Sequence, residues 1–304
     1  MNMIFRPVVL LALCAVTQGA PAQDQGRRQD KVVQDGIVLE PIERDGLKGK
    51  WRDFTAPEKA VNEQSGQQYT AMMSQAEQKG VLVPAADARV KRLRAVAQRI
   101  IPYTARWNAS AQQWKWQVNL VDSSQVNAFC MPGGRIAFFT GIIDKLKLTD
   151  DEIAAVMGHE IAHALREHGR NRMSTGKTTG VATAAIGALL SAWSGYDVRG
   201  LTNAAGQMYL LKYSRDEERE ADLVGLDIAA RAGYDPRAGV ALWNKMAALN
   251  KNGAPIELLS THPGGARRIE QIQEHMHVLL PVYARAKGTA VERLPAYRTN
   301  LASK

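Results

Sequence analysis

The chain has 304 residues, 45% hydrophobic and 23% charged, enough to bury one large core or two modest ones and too apolar for a wholly disordered chain. Its formal charge of +9 invites a nucleic-acid reading, but Arg27/Arg28, Lys91/Arg92/Arg94 and Arg267/Arg268 are separated by acidic residues and no nucleic-acid module is present, so that class is set aside. What the basic charge retains is a weak attraction to acidic clients or to an anionic membrane surface, peripheral association at most.

Residues 1–22 carry Arg6, an apolar run from Val8 to Val16, and Ala20 and Ala22 flanking Pro21. This is the pattern of a secretory signal peptide cleaved after Ala22, and the run is too short for a membrane-spanning helix. Lipidation at Cys14 is disfavoured because Leu13 stands where a lipoprotein signal needs a small residue. The expected mature chain is therefore exported, periplasmic in a Gram-negative cell. Cys130 becomes its sole thiol, so no internal disulfide can form, and its ordinary reading is a small buried hydrophobe.

Residues 23–84 form a polar lead-in, interrupted by Gly36, Pro41, Gly46 and Gly49, with an N-terminal helical extension behind it. A domain is expected over 85–285, with a C-terminal tail at 286–304. It opens on an amphipathic helix in which Val90, Leu93, Val96, Ala97 and Ile100 recur at three- and four-residue steps before Pro102. Trp114, Trp116, Val118 and Leu120 then alternate with polar residues as in a half-buried strand. A short segment at Val126 to Phe129, a Pro132-Gly133-Gly134 turn and a strand over Arg135 to Ile143 complete a small sheet. Thr149 and Glu152 make a capping box for a helix running to about Arg170.

The stretch from Thr178 to Tyr196 has no charge, but its glycines, threonines and serines favour a small-residue helix or a flap over a membrane span. A helix from about Leu201 to Ala232 ends at Gly233. Asp235-Pro236 starts the next, and a final helix follows His262-Pro263.

The chemistry is concentrated in His159-Glu160-Ile161-Ala162-His163, an HExxH motif in the middle of the capped helix. Residues four apart share a helix face, so both imidazoles can reach one zinc ion while Glu160 stands beside it as a base for bound water. The metzincin pattern would supply the third ligand as a histidine at the position of Gly169, with a glycine where Arg166 stands. His168 misses that register by one and reads as a surface histidine. Candidates for the third ligand are instead the carboxylates of the segment Ser214 to Asp222.

Here the chain resembles the zinc peptidases that include the type I CAAX prenyl endopeptidase, HtpX and periplasmic quality-control proteases. HExxH is followed by SRxxExxAD, matched by Ser214, Arg215, Glu218, Ala221 and Asp222, and the likeness extends to Asn127-Ala128-Phe129, Pro132-Gly133-Gly134 and Thr261-His262-Pro263. The resemblance implies Glu218 as third ligand rather than Glu217 or Glu220, with one Zn2+ per chain. It also places the Thr-His-Pro segment at the cleft. Independently, Glu218 and Asp222 lie four apart on one helix face, so Asp222 can accept a hydrogen bond from the non-ligating nitrogen of a metal-bound histidine.

The expected fold is α+β, a mainly helical gluzincin-type metallopeptidase domain with a small β-sheet beside the HExxH helix. The expected function is zinc-dependent endopeptidase action on unfolded or misassembled exported proteins. The rival is a zinc-containing chaperone or scaffold, against which the intact Glu160 argues. Asn127 and Ala128 are expected on an edge strand that holds substrate extended, and His262 either donates to the oxyanion or occupies the fourth zinc position. No feature sets an oligomeric state.

Overall fold

The computed structural model describes residues 57–174, 213–251 and 256–300, and the backbone of a short antiparallel pair, β1 (Val33–Gln34) with β2 (Ile37–Val38). The expected signal peptide and the uncharged stretch 178–196 lie outside the described residues. No described helix is long and apolar enough to cross a membrane.

Helix α1 (Glu58–Gln78) occupies the expected helical extension. Its Tyr69, Met72 and Met73 share a hydrophobic cluster with Val121, Met131, Ala137 and Phe139 of the sheet, and the Tyr69 hydroxyl donates to the Ile136 carbonyl at 2.6 Å. Helix α2 (Ala88–Ile100) buries the expected stripe of Val90, Leu93, Val96, Ala97 and Ile100, and Asp87 caps it by accepting from the Arg89 N–H.

The sheet has three strands, β3 (Gln117–Val121), β4 (Ala128–Met131) and β5 (Arg135–Phe139), in the order β3-β5-β4. Strand β5 runs parallel to β3 and antiparallel to β4, which is left at the edge. The strand expected to continue to Ile143 stops at Phe139. Thr140 turns the chain by bonding Asp122 and Ser123 through its hydroxyl, and α3 (Thr140–Leu146) follows.

Helix α4 (Asp150–Leu165) carries the HExxH motif and starts at the expected capping box: Thr149 N–H donates to Glu152 at 2.8 Å and Glu152 N–H to the Thr149 hydroxyl at 3.3 Å. The Glu152 carboxylate is fully buried and also accepts from Lys245 of α7 (Ala238–Lys251) at 2.6 Å, which ties the two helices. The helix ends five residues short of Arg170. Glu167 takes a left-handed φ of 55°, and α5 (His168–Ser174) starts afresh.

Helix α6 (Arg215–Arg231) begins at Ser214, which forms a second capping box with Glu217; the earlier part of the expected helix, from Leu201, lies outside the described residues. At the C-terminal end the single expected helix is divided. A short α8 (Glu257–Thr261) precedes His262, then come α9 (Ala266–Glu274) and α10 (Met276–Ala286), which meet at His275.

Helices α4 and α6 pack backbone on backbone. A Cβ on Gly225 would lie 2.6 Å from the Gly158 carbonyl carbon and 2.6 Å from the His159 nitrogen, and one on Gly158 would strike Gly225 in turn. Mid-helix glycine normally costs about 1 kcal/mol relative to alanine, so Gly225→Ala would ordinarily stabilise. At this crossing the sign reverses: overpacking is expected to destabilise by roughly 1–3 kcal/mol. Urea unfolding of the metal-free protein measures it, and a stabilised variant would show that the helices part freely.

Candidate metal centre

The crossing sets the HExxH face of α4 against the first turns of α6. His159, His163, Glu218 and His262 are all buried, and one donor atom from each lies within 4.8 Å of the others. His159 Nε2 is 3.1 Å from His163 Nε2 and 3.5 Å from Glu218 Oε2, and His163 Nε2 is 3.5 Å from Glu218 Oε1. His262 Nδ1 is 3.1 Å from His159 Nε2 and 2.9 Å from Glu218 Oε1. Bonds of about 2.0–2.1 Å in a tetrahedral zinc site put ligand atoms about 3.4 Å apart. These separations and donor types therefore fit a zinc ion.

The surroundings orient the donors. The other nitrogen of His159, Nδ1, lies 3.1 Å from Asp222 Oδ1, which leaves Nε2 facing the centre. Burial pushes the His163 imidazole well below its usual pKa, keeping it neutral as a ligand must be. Burial alone would raise Glu218, but the charge of His262 and close contacts with His163 and His262 hold its carboxyl far below the usual range. Glu160 differs. Burial raises its pKa, His262 and His159 offset this only in part, and its Oε1 is buried with no hydrogen-bond partner among the described residues. A solvent-shielded carboxylate with an open acceptor beside the donor cluster is what a base for a water molecule requires.

The acidic run of α6 divides its work. Glu217 is held in the capping box with Ser214, Glu218 faces the donor cluster, and Glu220 accepts from Arg166 and lies 3.0 Å from His168 Nε2. His262 reaches the centre from the end of α8. That helix is held to the sheet by Leu258 N–H donating to the Val126 carbonyl and Val126 N–H donating to Glu257 at 2.7 Å.

Asn127 and Ala128 lie at the edge strand β4, which packs along α4. The Asn127 carbonyl accepts from Phe139 N–H, and its side-chain oxygen accepts from the N–H of Ala128 at 3.0 Å. An apolar pocket lined by Val156, Leu226, Leu242, Trp243 and Met246 adjoins Glu160 and His262.

Three residues of the site were not singled out in the sequence. Arg268 grips both Asp222 oxygens, at 2.7 and 2.5 Å, bonds Glu218 and lies 3.8 Å over the Trp243 ring; burial alone would raise the Asp222 carboxyl, but the Arg268 charge and the hydrogen bonds from His159 and Arg268 hold it below the usual range. Tyr213 stacks on His163 with ring centroids 3.7 Å apart; its place next to Ser214 was the available signal. His168, expected at the surface, is fully buried, with Nδ1 2.8 Å from His163 Nδ1. His275, where α9 and α10 meet, is also buried.

A mainly helical domain with a small sheet, in which an HExxH helix and a carboxylate-bearing helix converge on one cluster of zinc-type donors, defines a metallopeptidase domain. The chain belongs to peptidase family M48, which it matches over residues 87–276. It is 36% identical over 182 residues to a mitochondrial metalloendopeptidase OMA1 of Arabidopsis thaliana, covering 58% of this chain and 36% of that protein. It is 28% identical over 201 residues to the metalloprotease LoiP of Escherichia coli, covering 65% and 75% respectively. A beta-barrel assembly-enhancing protease of Yersinia pestis is 26% identical over 183 residues, covering 57% and 37%. The chain thus spans well under half the length of the plant relative.

Proposed function

We propose that the protein is a zinc endopeptidase in which His159, His163 and Glu218 hold the metal and Glu160 is the general base. The observation that carries this reading is the buried Glu160 oxygen, without a hydrogen bond among the described residues and 3.7 Å from His262 Nε2, beside a donor cluster with the edge lengths of a zinc tetrahedron. Bound zinc supplies Lewis acidity, lowering the pKa of water and polarising a carbonyl. Glu160 takes the proton of the attacking water at Oε1, the oxygen without a hydrogen bond among the described residues, and returns it to the leaving amine. Asp222, fixed by Arg268, holds His159 in the tautomer that presents Nε2.

Strand β4 would bind substrate by main-chain pairing along its edge, with Asn127 and Ala128 as contacts. Pairing of this kind suits unfolded chains. The signal-peptide pattern of residues 1–22, and the name of the assembly-enhancing relative, support exported and misassembled proteins as clients. Digestion of an unfolded protein by the purified, zinc-loaded chain tests the reading: zinc retained without any cleavage would favour the scaffold alternative.

For His262, the proximity of Nδ1 to both His159 and Glu218 favours the fourth metal position over an oxyanion donor. His262→Ala is therefore expected to retain zinc and to cleave a short unstructured peptide several-fold faster than wild type, by freeing a position for water. A fall in turnover with unchanged metal affinity would assign the oxyanion role instead.

A further inference from the structure

His163 has a partner set of a different kind from that of His159. Where His159 Nδ1 meets a carboxylate directly, His163 Nδ1 meets a second imidazole, His168 Nδ1 at 2.8 Å, and the far nitrogen of that ring, Nε2, meets Glu220 Oε2 at 3.0 Å. Glu220 is in turn fixed by Arg166 through its other oxygen. The line His163–His168–Glu220 is buried throughout, with His168 0% exposed.

We propose that His168 and Glu220 form a hydrogen-bond relay that fixes the tautomer and ring orientation of His163, making them positioning residues of the metal centre. The proposal rests on the reading of His163 as a zinc ligand. A carboxylate at the end of the line gives it a direction. Glu220 accepts, so His168 carries its proton on Nε2 and donates there; its Nδ1 is then a lone pair, which an N–H at His163 Nδ1, 2.8 Å away, satisfies. That leaves His163 Nε2 unprotonated and facing the donor cluster. Reversing the two tautomers would set a lone pair on His168 Nε2 against the Glu220 oxygen, two acceptors 3.0 Å apart in a buried site.

The chain is bent to build this line. Five residues along an uninterrupted helix turn a side chain by roughly 140° from its starting face, so on a continuous α4 His168 would point away from His163. The left-handed Glu167 breaks the helix between them and returns His168 to the His163 ring. A non-glycine residue in that region of backbone space is uncommon and is maintained only where the surroundings over-determine it. On α6, Glu220 is two residues from Glu218 and so projects to a different side, toward the end of α4, where Arg166 and His168 receive it.

The test uses the full chain and compares wild type, His168→Ala, His168→Asn and Glu220→Gln. Zinc affinity is measured by competition with a chromophoric chelator, and ligand geometry by the visible spectrum of the cobalt(II)-substituted protein. His168→Ala is expected to weaken zinc binding roughly ten- to a hundred-fold and to shift the cobalt bands. His168→Asn, whose carbonyl oxygen can accept from His163 Nδ1, should recover much of the affinity and the wild-type spectrum, and Glu220→Gln should fall between. Equal affinities and identical cobalt spectra in all four would overturn the relay. So would equal losses in the Ala and Asn variants with unchanged bands in the loaded fraction, since His168 would then serve packing alone. If His168→Ala does not fold, the Asn and Gln variants decide between the same outcomes. Failure of the wild type itself to bind zinc would instead remove the metal-site reading beneath the proposal.

Discussion

Glu160→Gln is expected to bind zinc as wild type does and to lose cleavage of an unfolded protein by about 10²–10⁴-fold, the range ascribed to a positioned general base. Gln fills the same space on α4, and the donors of His159, His163, Glu218 and His262 do not include it, so metal content should not change. The substitution replaces a carboxylate whose Oε1 is buried without a hydrogen bond among the described residues by an amide that cannot accept a proton at neutral pH. Metal analysis beside a digestion time course separates the two properties. Cleavage by the variant at the wild-type rate would remove Glu160 from the mechanism, whereas loss of zinc would show it to be part of the binding shell.

Glu218→Gln is expected to have the other large effect, release of the metal. Among the described residues Glu218 is the only carboxylate in the donor cluster, and the charge of His262 and the contacts around it hold it ionised against the pull of burial. An amide keeps the shape and removes the negative charge, so the metal loses its anionic donor and Arg268 keeps only Asp222 of its two carboxylate partners. Zinc stoichiometry after dialysis should fall toward zero. Because binding is linked to folding, the melting temperature of the variant should match that of chelator-treated wild type rather than that of the loaded protein. Glu217→Gln is the control: its carboxylate caps Ser214, so the cost should be a modest loss of stability with full zinc content. Retention of tight zinc binding by Glu218→Gln would overturn its assignment as third ligand.

The parts of this site that were legible in the sequence are those fixed by local spacing. Four-residue steps on a helix bring His159 to His163 and Glu218 to Asp222, and the Thr149–Glu152 pair marks where the first of those helices starts. Non-local geometry was not legible. Nothing in the spacing of His168 announces that Glu167 will leave the helical region, and on the regular helix expected to reach Arg170 that histidine faces outward. Arg268 read as one member of a scattered basic pair because its partners lie 46 and 50 positions back in the chain, across a contact that only the folded arrangement of α6 and α9 creates. The end of β5 was misjudged for a similar reason: Phe139, Ile142 and Ile143 continue an apolar run, and the turn at Thr140 depends on Asp122 and Ser123, brought alongside by the parallel pairing with β3.

The close approach of Gly158 and Gly225 has a consequence for how the protein tolerates change. Gly158 immediately precedes His159, and Gly225 lies two helical turns beyond Glu218, so the separation of the two helices that carry the donor cluster is gauged by main-chain atoms rather than by the volumes of side chains. Substitutions elsewhere in the core can then redistribute bulk without altering that gauge. A methyl group at either glycine would be transmitted to the ligands as a lateral displacement of one helix against the other. The crossing is accordingly a datum point from which the spacing of the donors could be adjusted in small increments, without replacing any residue of the donor cluster.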